Sequence, residues 1–199
     1  MCIRIETPLT LEVAQSLRAG DEVLISGTIY TARDAAHKRM AACLDQGETL
    51  PFPIRDAIVY YAGPTPERPG EIIGSIGPTT STRMDAYTPR LLAQGLRGML
   101  GKGRRSAEVM ACMQTHGAVY FGAIGGAAAL LAQCVTDVAV VCYEDLGAEA
   151  IRRLTVRDFP ATVVIDSRGG NLYEIGVGQY LEWANRVDQA ENGAILDNK

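Results

Sequence analysis

The nine residues Gly77-Pro78-Thr79-Thr80-Ser81-Thr82-Arg83-Met84-Asp85 constrain this chain more than any other stretch. Ile72, Ile73 and Ile76 ahead of them read as a short strand, and Met84 to Gln94 after them as a helix. Gly-Pro ends an apolar run, and Thr or Ser at such a junction is a favoured helix N-cap. A strand-to-helix turn aims backbone N–H groups and the positive end of a helix dipole at one point, which suits an anion. Arg83 adds a planar two-pronged donor that matches a carboxylate in shape. An ordinary capped helix with a surface arginine would show the same letters.

A related junction occurs twice more. Asp21 to Tyr30 carries Val23-Leu24-Ile25 and Ile29 and reads as a strand. A helix then runs from Thr31 to about Asp45, with Thr31 and Asp34 resembling a capping box. Arg33 falls in its first turn, where the dipole favours a carboxylate over a cation. It either faces an anion shared with the helix end or pairs with a nearby acid. His37 lies one turn further on and could orient a group or relay protons; a purely structural histidine is the plainer reading. The third junction follows a strand at Leu96 to Leu100. There Gly101-Lys102-Gly103 lets the backbone approach a ligand while Lys102 reaches it. A Walker A loop is excluded, because the glycine it needs five positions before Gly101 is Leu96.

The remaining apolar runs give strands at Ala57 to Ala62, Ala118 to Phe121, Val138 to Tyr143, Ile151 to Val156 and Thr162 to Asp166. Asp158-Phe159-Pro160 separates the last two. Helices are expected at Arg104 to Thr115, Ala127 to Cys134 and Gly178 to Val187, with a polar tail from Asp188 to Lys199 expected to fray. No repeat or linker divides the 199 residues, so one α/β domain over 1–199 is the economical reading.

Bulk properties narrow the function. A net charge of −4 with no long run of one sign argues against a general nucleic-acid binder. Gly117 to Thr136 is uncharged and long enough to span a membrane. It is rich in Gly and Ala and interrupted at Gly125-Gly126, so it reads as strand, turn and buried helix. The five cysteines at 2, 43, 112, 134 and 142 are odd in number and lack C-x-x-C spacing. With no leader at the start, a reduced cytoplasmic protein without a metal site of its own is expected.

Arg33, Arg83 and Lys102 each follow a strand, so they can converge at one end of a sheet. Two arginines and a lysine suit a small dicarboxylate, each charge-assisted bond contributing about 1.5–3 kcal/mol. A nucleophile–base pair, a metal cage and a phosphate loop are all missing from the pattern. Such a set is half of an active site.

Gly27 to Arg39, Gly77 to Asp85 and Gly101-Lys102-Gly103 closely resemble the β region of the iron–sulfur hydro-lyases. These are the class I fumarate hydratases and tartrate dehydratases. Thr7-Pro8-Leu9-Thr10, Gly122 to Ala127, Asp158-Phe159-Pro160-Ala161 and Leu146 to Ile151 are similar as well. The resemblance implies a single swivelling β/β/α domain, found either as the C-terminal half of a long chain or as a separate β subunit. It implies a four-iron–four-sulfur cluster bound by an α subunit, and an α2β2 assembly. It implies that Arg33 and Arg83 grip substrate carboxylates, that Lys102 assists, and that Thr79 stands at the reacting carbon as a proton acceptor. Asp34 and His37 take supporting roles. The reaction implied is reversible hydration of fumarate to (S)-malate, with tartrate and mesaconate as alternative substrates. A stand-alone dicarboxylate-binding module and a structural subunit are the rival readings.

Overall fold

Strand β2 (Glu22–Thr31) is the hub of the sheet. Along one edge it pairs in parallel first with β1 (Ile3–Glu6) and then with β3 (Ile58–Tyr60). Along the other edge it pairs antiparallel with β7 (Ile151–Ile165) over almost its whole length. Strands β4 (Gly98–Gly101) and β5 (Val119–Gly122) continue in parallel from β3. The C-terminal half of β7 pairs with β5, and its N-terminal half with β6 (Val135–Cys142). Strands β2, β3, β4, β5 and β7 therefore close into a ring, with β1 and β6 as outer strands. The computed structural model describes residues 2–123, 126–178, 180, 181 and 183.

Period-two alternation sends the strand side chains to two apolar clusters. Val23, Ile25, Ile29, Ile58, Tyr60, Leu100, Val119, Phe121, Leu154 and Val163 join one cluster with helix α1 (Leu11–Ser16) and helix α5 (Ala128–Gln133). Val59, Tyr61, Met99, Tyr120 and Val164 face the other way. They pack on α2 (Asp34–Asp45), α3 (Thr88–Ala93) and α4 (Ala107–His116) through Ala36, Met40, Leu91, Leu92, Val109 and Met113. A mixed α/β sheet with helices is thus the architecture. Among the described residues no helix is long and apolar enough to cross a membrane, and Gly117 to Thr136 contains β5, α5 and the start of β6.

Four expectations from the sequence are corrected. Residues 72–76 are not a strand. Both edges of β3 are already taken, by β2 and β4. The segment bonds instead to its neighbours, Thr65 N–H donating to Ser75 O and Ile76 N–H to Ala128 O. The helix expected from Met84 to Gln94 is a short 3-10 turn, Ser81–Met84, followed by α3 from Thr88. Pro89 is the cause, because proline belongs in a helix's first turn and not in its interior. Thr31 is no cap: it belongs to β2, and its hydroxyl accepts from Arg152 N–H, while Arg33 holds the N-cap position of α2. Asp158-Phe159-Pro160 does not divide β7. A bulge opposite Ile25 and Gly27 absorbs the positive φ of Asp158. Pro160 lies between the reach of β6 and that of β5, where a missing N–H breaks no ladder bond on that edge.

The helix expected from Gly178 to Val187 and the tail from Asp188 fall almost entirely outside the described residues. Residues 172–178 are helical, so helix begins earlier than expected.

Gly101 closes β4 where the chain crosses beneath the Ser81 turn. A Cβ there would overlap the Ser81 hydroxyl and stand 2.9 Å from Tyr61 Cδ2. Gly101→Ala is expected to lower unfolding stability by about 1–3 kcal/mol, the usual cost of overpacking, measurable by urea denaturation.

Candidate active site

The parallel strands end at the same side of the sheet, and the candidate residues sit in the turns that follow β2, β3 and β4. Thr79 is fixed by the chain leaving β3. Its N–H and its hydroxyl both donate to the Tyr61 carbonyl, each at 2.7 Å. With the hydroxyl proton committed to that carbonyl, the oxygen's lone pairs are left to accept. The turn after β4 is stitched to the same segment: Lys102 N–H donates to Thr79 O at 3.3 Å and Ser81 N–H to Lys102 O at 2.9 Å. Thr79 and Lys102 are therefore neighbours by backbone pairing, while the Lys102 side chain is exposed. The Ser81–Met84 turn then presents Arg83, whose side chain is 62% exposed.

Arg33 reaches this place from β2. Ala32 N–H donates to Tyr60 O at 3.1 Å, which anchors the start of α2 against the end of β3. Gly63 keeps the path open, for a Cβ there would lie 3.3 Å from Arg33 Cδ and 2.6 Å from Ala148 O. Arg33 Nη2 lies 3.3 Å from Glu149 Oε1, and Glu149 Oε2 accepts from Ala35 N–H at 3.0 Å. The anion at this helix end is thus a carboxylate of the chain itself. Asp34, the next residue, lies 3.5 Å from Arg83 Nη1 and joins the first turn to the second. Arg33 Nε and Asp34 Oδ1 are buried without a hydrogen-bond partner.

His37 is wholly buried. Its Nδ1 lies 2.9 Å from Arg33 O, so the ring proton sits on Nδ1 and donates to that carbonyl. Nε2 is left unpartnered beside Tyr61, on whose ring His37 stands edge-on. Burial holds its pKa down to about 4, assisted by Arg105 and opposed by the Arg33 carbonyl. The ring is neutral at neutral pH and touches the site through the Arg33 backbone.

The structure brings Thr79 and Lys102 together by direct backbone bonds, and Asp34 and Arg83 by an ion pair. Arg33 and His37 adjoin them at the start of α2. Three further residues complete the arrangement. Arg105 lies under the turns with its guanidinium 5.3 Å and 5.2 Å from the Tyr61 and Tyr120 ring centroids. It donates to Asp85 Oδ1 at 2.7 Å and Thr88 Oγ1 at 2.8 Å. The Tyr120 hydroxyl donates to Gly103 O, leaving Ser81 Oγ as the donor to Tyr120. Glu149 is the third. An arginine just before a helix is an ordinary letter in sequence, and nothing local marks Arg105 or Glu149.

The donor set does not fit an iron–sulfur cluster. Among the described residues no three His, Cys, Asp or Glu side chains could hold a metal ion together. Burial pushes the Cys43 and Cys134 thiols up, and that of Cys142 to about 11.

Basic and hydroxyl-bearing turns at the C-terminal ends of parallel strands mark this as an α/β domain. The chain belongs to the family described as Fumarase C-terminus, whose model matches residues 1–176. It is 44% identical over 152 residues to the aerobic class I fumarate hydratase of Escherichia coli K12, covering 75% of this chain and 28% of that protein. It is 40% identical over 156 residues to fumarate hydratase 2 of Leishmania major, covering 77% and 28%. With a Methanocaldococcus jannaschii protein provisionally named L(+)-tartrate dehydratase subunit beta it shares 39% identity over 172 residues, covering 83% and 88%. The chain thus spans little more than a quarter of the fumarate hydratases it matches and most of the β subunit.

His37 gives a pH test. Its folded pKa lies below the unfolded value of 6.5, so the unfolded chain takes up the proton first as pH falls. The associated stability is intact above pH 6.5 and is lost progressively towards pH 4, by about 3 kcal/mol in all. Stability measured by urea unfolding from pH 7 to 4 should fall less steeply in His37→Gln than in wild type.

Proposed function

We propose that this chain is the carboxylate-gripping β subunit of a hydro-lyase that reversibly hydrates fumarate to (S)-malate. The reading rests on the placement of Arg33, Thr79, Arg83 and Lys102 in the turns that follow β2, β3 and β4, in a chain 44% identical to a class I fumarate hydratase. Arg33 and Arg83 each take one substrate carboxylate, and Lys102 adds a third positive charge. The two arginines hold the four-carbon acid at both ends and so fix which face of its central carbons meets Thr79. Thr79 Oγ1 stands at the reacting carbon as proton acceptor. A hydroxyl is a weak base in water, so as it takes the carbon's proton its own must pass to a base, which the partner subunit supplies. Asp34 and His37 support the arginines, Asp34 by pairing with Arg83 and His37 by holding the Arg33 carbonyl.

A partner α subunit supplies the rest of the site and the iron–sulfur cluster. The complex works as an α2β2 assembly in which this domain swivels as a unit. A tartrate dehydratase is the second reading. It is favoured by the match over 88% of the M. jannaschii subunit, which has the length of a separate β chain.

Anaerobic co-expression with a cluster-bearing α chain, followed by assays with fumarate and tartrate, tests both readings. Fumarate turnover only by the mixed proteins supports the proposal, tartrate turnover transfers it to the second substrate, and turnover of neither by a cluster-loaded complex sinks it. Arg33→Ala and Arg83→Ala are each expected to lower kcat/KM by at least about ten-fold, as the loss of one charge-assisted contact does. Gel filtration should show both complexes still assembled. Dissociation in place of lost turnover would mark the arginines as interface residues.

A further inference from the structure

Arg33 and Arg83 each have an acid of their own. Arg83 pairs with Asp34, and Arg33 with Glu149 from the segment after β6. The second pair is the better enclosed, with side chains 23% and 24% exposed. Glu149 has two functions there. Through Oε2 it accepts the Ala35 N–H, and so caps a helix whose N-cap residue, Arg33, makes no side-chain cap bond. Through Oε1 it holds one terminal nitrogen of the Arg33 guanidinium.

Its mounting is firm. Arg39 pairs with both Asp145 oxygens and lies over the Tyr143 ring at 5.1 Å. Arg152 donates to Gly147 O at 2.9 Å and Ala148 O at 3.3 Å. Gly147 supplies the kink, at φ 57° and ψ −114°, that leads the chain on to Glu149. A carboxylate tied down in this way can restrict the side chain it touches. The guanidinium is not saturated by it, since Arg33 Nε has no acceptor.

We propose that Glu149 is the positioning residue of the Arg33 subsite. It fixes one corner of the guanidinium in advance, so that a dicarboxylate meets an oriented donor and the rotamer entropy of a long side chain is not lost on binding. The assignment rests on the hydro-lyase reading of the same site.

Glu149→Gln separates the two functions, because its amide oxygen still accepts from Ala35 N–H while the charge facing Arg33 is gone. In the assembled complex the expected result is an unchanged melting temperature, kcat within about two-fold, and KM for fumarate raised about ten-fold, the factor for newly ordering one long side chain on binding. Affinity for succinate, a dicarboxylate that cannot be hydrated, should fall by a similar factor in calorimetry. Glu149→Asp, which keeps the charge, should recover part of the loss in both measurements. A KM and succinate affinity equal to wild type would overturn the proposal and leave Glu149 a helix cap. Tighter binding would overturn it too, by making Glu149 a competitor for Arg33. If Glu149→Gln does not assemble, the Glu149→Asp complex decides alone: weaker succinate binding supports the proposal and wild-type binding overturns it. A wild-type complex that binds succinate without turning over fumarate or tartrate removes the hydro-lyase reading while Glu149 is still judged by affinity. One that neither binds nor turns over removes both.

Discussion

The buried guanidinium of Arg105 is the interaction on which the candidate site rests. It lies between the rings of Tyr61 and Tyr120 and is neutralised by Asp85. From those partners the turns bearing Thr79 and Lys102 are reached in one further bond. The Tyr61 carbonyl fixes Thr79, and the Tyr120 hydroxyl ties Ser81 to Gly103. Asp85 also accepts the Ser106 N–H and so sets where α4 begins. A charge so enclosed is stable only while all its partners keep their places. The turns after β3 and β4 are consequently held from below, by packing that no ligand would touch.

This arrangement separates support from exposure. The polar groups that face outwards, Lys102 and Arg83, are exposed, whereas Arg105, His37 and Ser81, which hold the turns in place, are buried. His37 belongs to the supporting set by its geometry, since its one hydrogen bond goes to the Arg33 backbone and its ring packs on Tyr61. The closed ring of β2, β3, β4, β5 and β7 carries the turns on a frame in which each strand is paired on both edges for at least part of its length.

Much of this was legible in the sequence, for identifiable reasons. Strands β2 to β5 and helices α2, α4 and α5 show themselves because apolar spacing and glycine turns are local signals. Arg33 and Lys102 could be grouped because each follows a strand and parallel strands end together, whereas Thr79 and Arg83 join them through an expected strand at 72–76 that is not formed. Ile72 to Ile76 misled because a β-branched run marks suitability for a sheet and not a free edge to join. Pro89 was a local signal, and it restarts the helix as proline does. The division expected in β7 failed because a bulge absorbs Asp158. The contacts of Glu149 and Arg105 could not be read from the sequence. The first meets Ala35 across 114 positions, and the second gains its meaning from two tyrosines on other strands.

The pairing of each arginine with its own acid has a further consequence, for the long-range field. Arg33, Arg83 and Lys102 are set against Asp34 and Glu149, so the cluster carries a single net positive charge on a chain whose total is −4. Beyond a Debye length, about 8–10 Å in physiological salt, an approaching dianion meets almost no attraction. For the dianion of the proposed reaction, capture by this cluster would be governed by contact and not by steering, with little dependence on ionic strength.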